Sequence, residues 1–166
     1  MKILSAALAC LTLAACATTP PQSAPLQAQT QGYTPLSRAF ESTEGYLEIN
    51  AKTATFSLRE GTMNLAYANV QVPPAAADAS WFKLEPVYFY KVTNATSYFN
   101  ANKGGNGMGQ QPTEWLAIAR TPDDGLSLCL GHGPFSLDPN LPNLNACGIY
   151  LKDAGYPDNS NKSLYQ

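Results

Sequence analysis

The sequence is short of charge and has no cluster of basic residues. Only 13% of its 166 residues are charged, about half of the share in typical soluble domains, and the formal net charge is −2. Contacts to phosphate groups need Lys and Arg gathered in a patch, so nucleic acid is not an expected partner. The polar residues are mostly Asn, Thr, Ser, Gln and Gly, a composition that is common among exported proteins.

Histidine is scarcer still, because His132 is the only one in the chain. It lies between two glycines, and no sequence motif of an activated serine accompanies it. We therefore expect His132 to be a solvated loop residue. Asp123 and Asp124 are adjacent in a turn, where they should point apart, unlike the facing carboxylates of a glycosidase. We therefore predict no catalytic residue, no cofactor and no enzyme activity; an envelope hydrolase is the less favoured alternative.

The apolar run at the N-terminus is too short to span a bilayer. It begins at Ile3 behind the basic Lys2 and ends at Cys16, after which residues 18–21 are Thr-Thr-Pro-Pro. A positive start, an apolar stretch and small residues before a cut site are the parts of a secretory signal. The sequence therefore predicts export.

The last four residues of this run, Leu13-Ala14-Ala15-Cys16, resemble the lipobox of bacterial lipoproteins. Members of that class are cleaved just before the cysteine, so the resemblance implies that Cys16 is acylated and holds the protein to a membrane. Each buried CH₂ contributes about 0.8 kcal/mol, so two or three acyl chains anchor stably. Ala17 stands where enteric lipoproteins of the inner membrane have Asp, which implies the periplasmic side of the outer membrane. The alternatives are an ordinary secretory signal in which Cys16 is incidental, and a core helix rich in Ala and Leu.

Removal of the signal peptide, residues 1–15, leaves enough chain for one domain with a tail. Residues 16–35 hold four prolines and almost no large apolar side chain, so we predict a lipid anchor followed by a disordered linker. We assign residues 36–156 to a β domain and residues 157–166 to a frayed polar tail.

Apolar and polar residues alternate through most of the domain, as they do in strands that turn one face to a core. Strands are predicted at residues 46–50, 53–59, 62–72, 81–92, 115–120, 126–130 and 146–152. Helical turns are expected at residues 36–42, capped by Ser37, and within residues 94–103. The predicted fold is all-β: a single antiparallel barrel or two-sheet sandwich of about seven or eight short strands, with at most one or two short helical turns.

Two of the four cysteines remain after export and lipidation, because Cys10 leaves with the signal and Cys16 carries lipid. Cys129 and Cys147 then lie in an oxidising compartment, which predicts a disulfide. A zinc site is the alternative, but the two thiols and His132 lack the paired spacing of such sites, and we predict no metal.

In the strand at residues 126–130, the leucines and Cys129 should face opposite sides. If its three leucines face the core, Cys129 points the other way. Either the disulfide joins the outer side of this hairpin to the last strand, or the strand is covered on both faces.

Aromatic residues crowd the segment at residues 81–92, where even positions are core-like and odd positions are mixed. Trp81 and Phe89 lie on the mixed face, and Trp115 is a candidate to join them. Exposed aromatics of this kind serve binding sites, so these three residues are predicted to bind an envelope protein or peptidoglycan. The alternative is that they are packed under a loop or a second sheet.

The body of the chain carries a scattered motif of Asn106, Gly107, Pro112, Trp115-Leu116-Ala117, Gly125-Leu126, Leu128 and Cys147-Gly148-Ile149-Tyr150. This motif resembles small exported proteobacterial proteins of unknown function. Those proteins carry a cysteine near position 108, where this chain has Met108. The resemblance implies a disulfide from that site to the final strand; here only Cys129 is left to pair with Cys147. It implies no activity.

In its general class the chain is also similar to the periplasmic lysozyme inhibitors, which are small, β-rich, disulfide-closed and often lipoproteins. Their Ser-Gly and Tyr motifs have no counterpart in it. The expected function is a non-catalytic binding or structural module of the cell envelope that faces the periplasm, and lysozyme inhibition is an alternative.

Overall fold

Each strand of the protein pairs with the strand that follows it, and the last strand returns to the first. The computed structural model describes residues 26–72, 82, 86–103, 111–135 and 143–153. Within these ranges the elements are β1 (Gln31–Pro35), α1 (Arg38–Thr43), β2 (Leu47–Ile49), β3 (Thr53–Phe56), β4 (Met63–Gln71), β5 (Val87–Val92), α2 (Ala95–Ala101), β6 (Trp115–Arg120), β7 (Leu126–Gly131) and β8 (Leu144–Lys152). All pairings are antiparallel and close a barrel. The predicted all-β fold is confirmed, as a barrel rather than a sandwich.

The strand registers give the barrel two distinct ends. We call one the helical end: it carries α1, α2 and the connections β3–β4 and β7–β8. We call the other the hairpin end: it carries the connections β2–β3, β4–β5 and β6–β7, together with the start of β1 and the end of β8. Within the described residues, neither α1 nor α2 is long and apolar enough to cross a membrane.

The inside of the barrel is a packed core. Eight strands enclose a space that is just wide enough to be filled by side chains. Alternate residues of the strands fill it, and the largest of them are Tyr33, Leu47, Ile49, Phe56, Met63, Tyr90, Leu116, Ile118, Leu126 and Tyr150. The predicted alternation is confirmed in β2 and β3, except that Leu58 lies beyond the end of β3 and is 43% exposed.

The first strand was not expected, because residues 31–35 fall in the segment assigned to the linker. Tyr33 is buried, and so is Leu26, which joins the core. The Gln27 carbonyl accepts a hydrogen bond from the Ala51 N–H (2.8 Å) at the hairpin end. The linker assignment is therefore wrong from Leu26 onward. The strand forms because β2 and β8 each present an open edge that a strand between them satisfies, although its own sequence is weakly apolar.

Helix α1 closes the helical end of the barrel. The Ser37 Oγ accepts a hydrogen bond from the Phe40 N–H (3.3 Å), which confirms Ser37 as the cap. Phe40 is buried, and its ring lies 5.6 Å from the ring of Tyr150 in an edge-on arrangement. It packs directly over Gly148 of β8, where a Cβ would stand 2.8 Å from the ring. The small residue in β8 thus makes room for the helix.

A buried ion pair lies beside α1. The Arg59 guanidinium donates two hydrogen bonds to the Glu44 carboxylate, from Nε to Oε2 (3.0 Å) and from Nη2 to Oε1 (2.9 Å). The Glu44 side chain is fully buried and that of Arg59 is 3% exposed. Tyr98 of α2 is buried nearby; burial, and secondarily the negative charge of Glu44, raises the pKa of its phenol. The pair therefore ties α1 to the β3–β4 connection in a site remote from water.

The disulfide predicted between Cys129 and Cys147 is present. The two residues are directly opposite each other in the β7–β8 pair. Cys129 belongs to a second apolar cluster, separate from the barrel core that Leu126, Leu128 and Leu130 enter. Both of the alternatives stated for this strand are therefore correct. The disulfide is on the outer side of the hairpin, and that side is covered as well.

The β6–β7 turn lies where the sequence places it, between the strands predicted at residues 115–120 and 126–130. Asp124, rather than Gly125, adopts the left-handed conformation, with φ of +62°. Gly125 is required for another reason, since a Cβ there would overlap the Tyr150 carbonyl of β8. An aspartate tolerates the left-handed region better than most residues do, so the turn can place its glycine at the close approach.

Candidate functional site

Phe89 and Trp115, two of the predicted binding residues, are side by side on the outer face of β5 and β6. Their ring centroids are 5.6 Å apart, and Phe135 of the β7–β8 connection packs against them at 5.2 and 6.0 Å. Phe89 is fully buried and Trp115 is 1% exposed. The prediction of an exposed aromatic surface is therefore wrong for these two residues, which are packed under a loop. Trp81, the third, lies outside the described residues.

The start of the β7–β8 connection folds back over the outer face of the barrel and accounts for this burial. We call residues 132–135 the covering loop. Gly131 of β7 lies directly opposite Trp115, and a Cβ there would overlap the indole ring. The indole therefore lies flat across β7, and Phe135 follows a few residues later to cover it. A glycine at the end of an apolar strand can mark a close approach of this kind, and Gly131 was the available signal in the sequence.

Trp115 and its neighbour Glu114 hold one residue of the covering loop between them. The Trp115 Nε1–H donates to the Gly133 carbonyl (3.2 Å), and the Gly133 N–H donates to the Glu114 carboxylate (2.7 Å). Gly133 has φ of +65°, a conformation that favours glycine. The loop is thus fixed through both backbone polar groups of one residue.

Helix α2 is fixed by an asparagine at each end. The Asn94 Oδ1 accepts from the Asn64 N–H (2.8 Å), and its Nδ2 donates to the Thr62 carbonyl (2.9 Å). The Asn102 side chain makes the same two kinds of bond, at 2.9 and 3.0 Å, to the N–H and carbonyl of Glu60. An amide side chain carries one acceptor and two donors, so it can pair with backbone as another strand would. The helix is therefore docked onto the β3–β4 connection.

Between α2 and the covering loop lies a groove of about 760 Å³. This volume is within the range of about 300–1,000 Å³ that is usual for small-ligand sites. Its lining includes the side chains of Lys91, Thr96, Asn100, Glu114, Trp115 and Phe135. Trp115 thus does line the site, by the rim of a buried ring instead of an exposed face. Sequence reasoning missed the groove, because its walls come from two connections that are far apart in the chain.

A second cavity, of about 480 Å³, lies at the hairpin end and is acidic. Its Asp124 accepts hydrogen bonds from Lys152 and from Arg120 (2.9 Å), and the Lys152 hydrogen bond is the main reason that its pKa is lowered. The pKa of Asp123 is lowered too, chiefly by a hydrogen bond from the Thr121 hydroxyl. Both carboxylates are therefore ionised and engaged. In the part of the chain that the structure describes, no group of three or more His, Cys, Asp or Glu residues is arranged to hold a metal ion.

His132 has a structural position at the base of the covering loop. Its Nδ1 lies 2.9 Å from the Asn145 Oδ1, while the Asn145 Nδ2 donates to the Thr113 hydroxyl (3.2 Å). This arrangement orients the amide so that the imidazole Nδ1–H donates to it. His132 is half-buried, not the solvated loop residue expected from the sequence, and it joins β7 to β8 where the loop begins.

Comparison of the chain with family models, with curated proteins and with solved structures finds no match. Function therefore has to be inferred from the groove, the charges around it and the N-terminal sequence.

Proposed function

We propose that the protein is a non-catalytic binding module of the cell envelope. Acyl chains on Cys16 hold it to the periplasmic side of the outer membrane, and the groove beside α2 binds an envelope component, either peptidoglycan or an envelope protein. One observation carries the proposal: the groove and the point where the N-terminal segment joins the domain are at opposite ends of the barrel.

This arrangement suits a tethered binding domain. Leu26 packs at the hairpin end, ten residues after Cys16. Ten residues of extended chain reach at most about 35 Å, so a lipid on Cys16 would keep the hairpin end toward the bilayer. Lys91, at the end of β5, and Glu114, just before β6, lie at the helical end. The groove would then point away from the membrane, into the space where its ligand is found.

The chemistry of the groove favours binding over catalysis. The described residues that line it include one cation, Lys91, and one anion, Glu114, among hydroxyl and amide side chains. Glu114 already accepts a hydrogen bond from the Gly133 N–H, and His132 is bonded to Asn145. Acid–base or nucleophilic catalysis needs a base within reach of a proton or nucleophile, and these groups are used to hold the loop. A preformed polar groove with its ionisable groups so engaged is suited to recognition.

The lipid anchor is tested by metabolic labelling with a palmitate analogue. We expect Cys16→Ala to lose all label and to move from the membrane fraction to the soluble fraction, because no acyl chain then remains. Cys10→Ala is the matched control: it changes a cysteine of the same apolar run that leaves with the signal, and it should stay labelled and membrane-bound. Label retained by Cys16→Ala would contradict the anchor.

The groove is tested by filling it. The full-length lipoprotein in detergent is mixed with envelope sacculi from cells that lack it, which have been washed with detergent to remove the bilayer, and its co-sedimentation is measured. We expect Thr96→Trp, which places an indole in the groove, to reduce the sedimented fraction at least tenfold. Ser42→Trp places the same ring on the exposed surface of α1 and should have no effect. Equal sedimentation of Thr96→Trp and the unmodified protein would reject the binding role.

A further inference from the structure

The groove contains polar groups that the fold already uses. The Asn94 amide is bonded to the backbone of the β3–β4 connection, and the Ser97 hydroxyl donates to the Asn94 carbonyl (3.0 Å). One Glu114 oxygen and the Trp115 indole N–H are bonded to Gly133. These groups hold the walls of the groove in place, so the site is formed before any ligand enters.

Other polar groups of the groove have no such role. Lys91, Thr96 and Asn100 are exposed, and none of them makes a side-chain hydrogen bond to another described residue. The same is true of the second carboxylate oxygen of Glu114. The groove therefore offers an ammonium, a hydroxyl, an amide and a carboxylate oxygen, all within reach of a ligand between its walls.

Charge and polarity narrow the class of ligand. Among the described residues that line the groove, the charges of Lys91 and Glu114 cancel, whereas binding of a polyanion would need several cations. Three of the four α2 side chains that line it, those of Thr96, Ser97 and Asn100, carry hydroxyl or amide groups, which do not suit a long apolar segment. Phe135 and the rim of Trp115 supply a small apolar surface on the opposite side. The ligand should thus be rich in hydroxyl and amide groups and carry small apolar groups between them.

We propose that the groove binds a short oligosaccharide that carries N-acetyl groups. Sugar hydroxyls would bond to Thr96, Asn100 and Lys91, the acetamido N–H would donate to the second Glu114 oxygen, and the acetyl methyl would pack against Phe135. The proposal names the ligand class of the proposed binding module and so rests on that function.

The test is isothermal titration of the full-length lipoprotein, in detergent, with the β-1,4-linked trimer of N-acetylglucosamine. We expect saturable binding, and about five- to tenfold weaker binding for Asn100→Ala, since that variant removes one net hydrogen bond. Asn69→Ala changes an exposed asparagine of β4 outside the groove and should bind as the unmodified protein does. The trimer of glucosamine, which lacks the acetyl groups, should bind at least tenfold more weakly than the acetylated trimer.

Three results would overturn the saccharide proposal: no binding of the acetylated trimer, equal binding of both trimers, or equal weakening by Asn100→Ala and Asn69→Ala. Binding of a peptidoglycan stem peptide without sugar, at the same groove and in place of the trimer, would overturn it as well. In each case, co-sedimentation that still depends on the groove would leave the binding module intact. Loss of both the titration signal and the co-sedimentation effect would reject the two proposals together.

Discussion

The Glu44→Ala variant is expected to lose about 3–5 kcal/mol of unfolding free energy. Glu44 and Arg59 are held out of water and joined by two hydrogen bonds, so removal of the carboxylate takes this counter-charge and both hydrogen bonds away from a buried guanidinium. The same change removes the charge beside Tyr98 and breaks the link between α1 and the β3–β4 connection. Urea denaturation followed by far-ultraviolet circular dichroism measures the loss.

Two controls separate burial from charge pairing in general. Replacement of both partners by apolar residues, Glu44→Leu with Arg59→Met, should recover a large part of the loss, because neither charge is then desolvated. Lys152→Ala removes an exposed partner of Asp124 from a regular strand position, and it should change stability by less than about 1 kcal/mol. If Glu44→Ala were no more destabilising than Lys152→Ala, the pair would not be isolated from water in solution.

The second large effect is expected at Trp115. Truncation to alanine should lower the unfolding free energy by about 3–5 kcal/mol, the usual loss for a large buried aromatic residue. The indole fills the space over Gly131, packs against Phe89 and Phe135, and donates to the Gly133 carbonyl. Its loss should also release the loop that forms one wall of the groove, so ligand binding should weaken in the same variant.

Trp115→Phe is the matched variant, since it keeps a ring and removes the indole N–H. We expect it to retain more stability than Trp115→Ala. Fluorescence gives an independent measurement, because the chain has two tryptophans and Trp81→Phe leaves Trp115 as the only emitter. Its emission should be little quenched by iodide in the folded protein and strongly quenched in urea. Strong quenching in the native state would contradict the burial of this ring.

Much of the barrel could be predicted from local pattern. In β2 and β3 the alternation of Leu47, Ile49, Ala54 and Phe56 with polar residues identified the strands and the face that enters the core. Ser37 identified the start of α1, because a serine side chain can bond to a free N–H of the first turn. These features depend on neighbours in the sequence, which is why they can be read before the fold is known.

The groove and the second apolar cluster could not be predicted in this way. Phe89 and Trp115 sit on strand faces whose local pattern is equally compatible with solvent and with cover. Their burial depends on Phe135, which arrives from a connection that follows β7, and on the absence of a side chain at Gly131. The periodicity of a strand's own sequence does not indicate which distant segment will cover its outer face.

By itself, therefore, the sequence determined the approximate positions of seven of the eight described strands, the cap of α1 and the pairing of Cys129 with Cys147, because alternation, capping chemistry and cysteine count are local or numerical properties. Only the tertiary structure decided that residues 31–35 form a strand, that Glu44 meets Arg59 out of water, and that α2 faces the loop of Phe135 across a groove. Each of these features depends on contacts between segments that are distant in the sequence. An open sheet edge pairs with, a buried charge binds to, and an aromatic ring packs against whichever distant segment the barrel brings close to it.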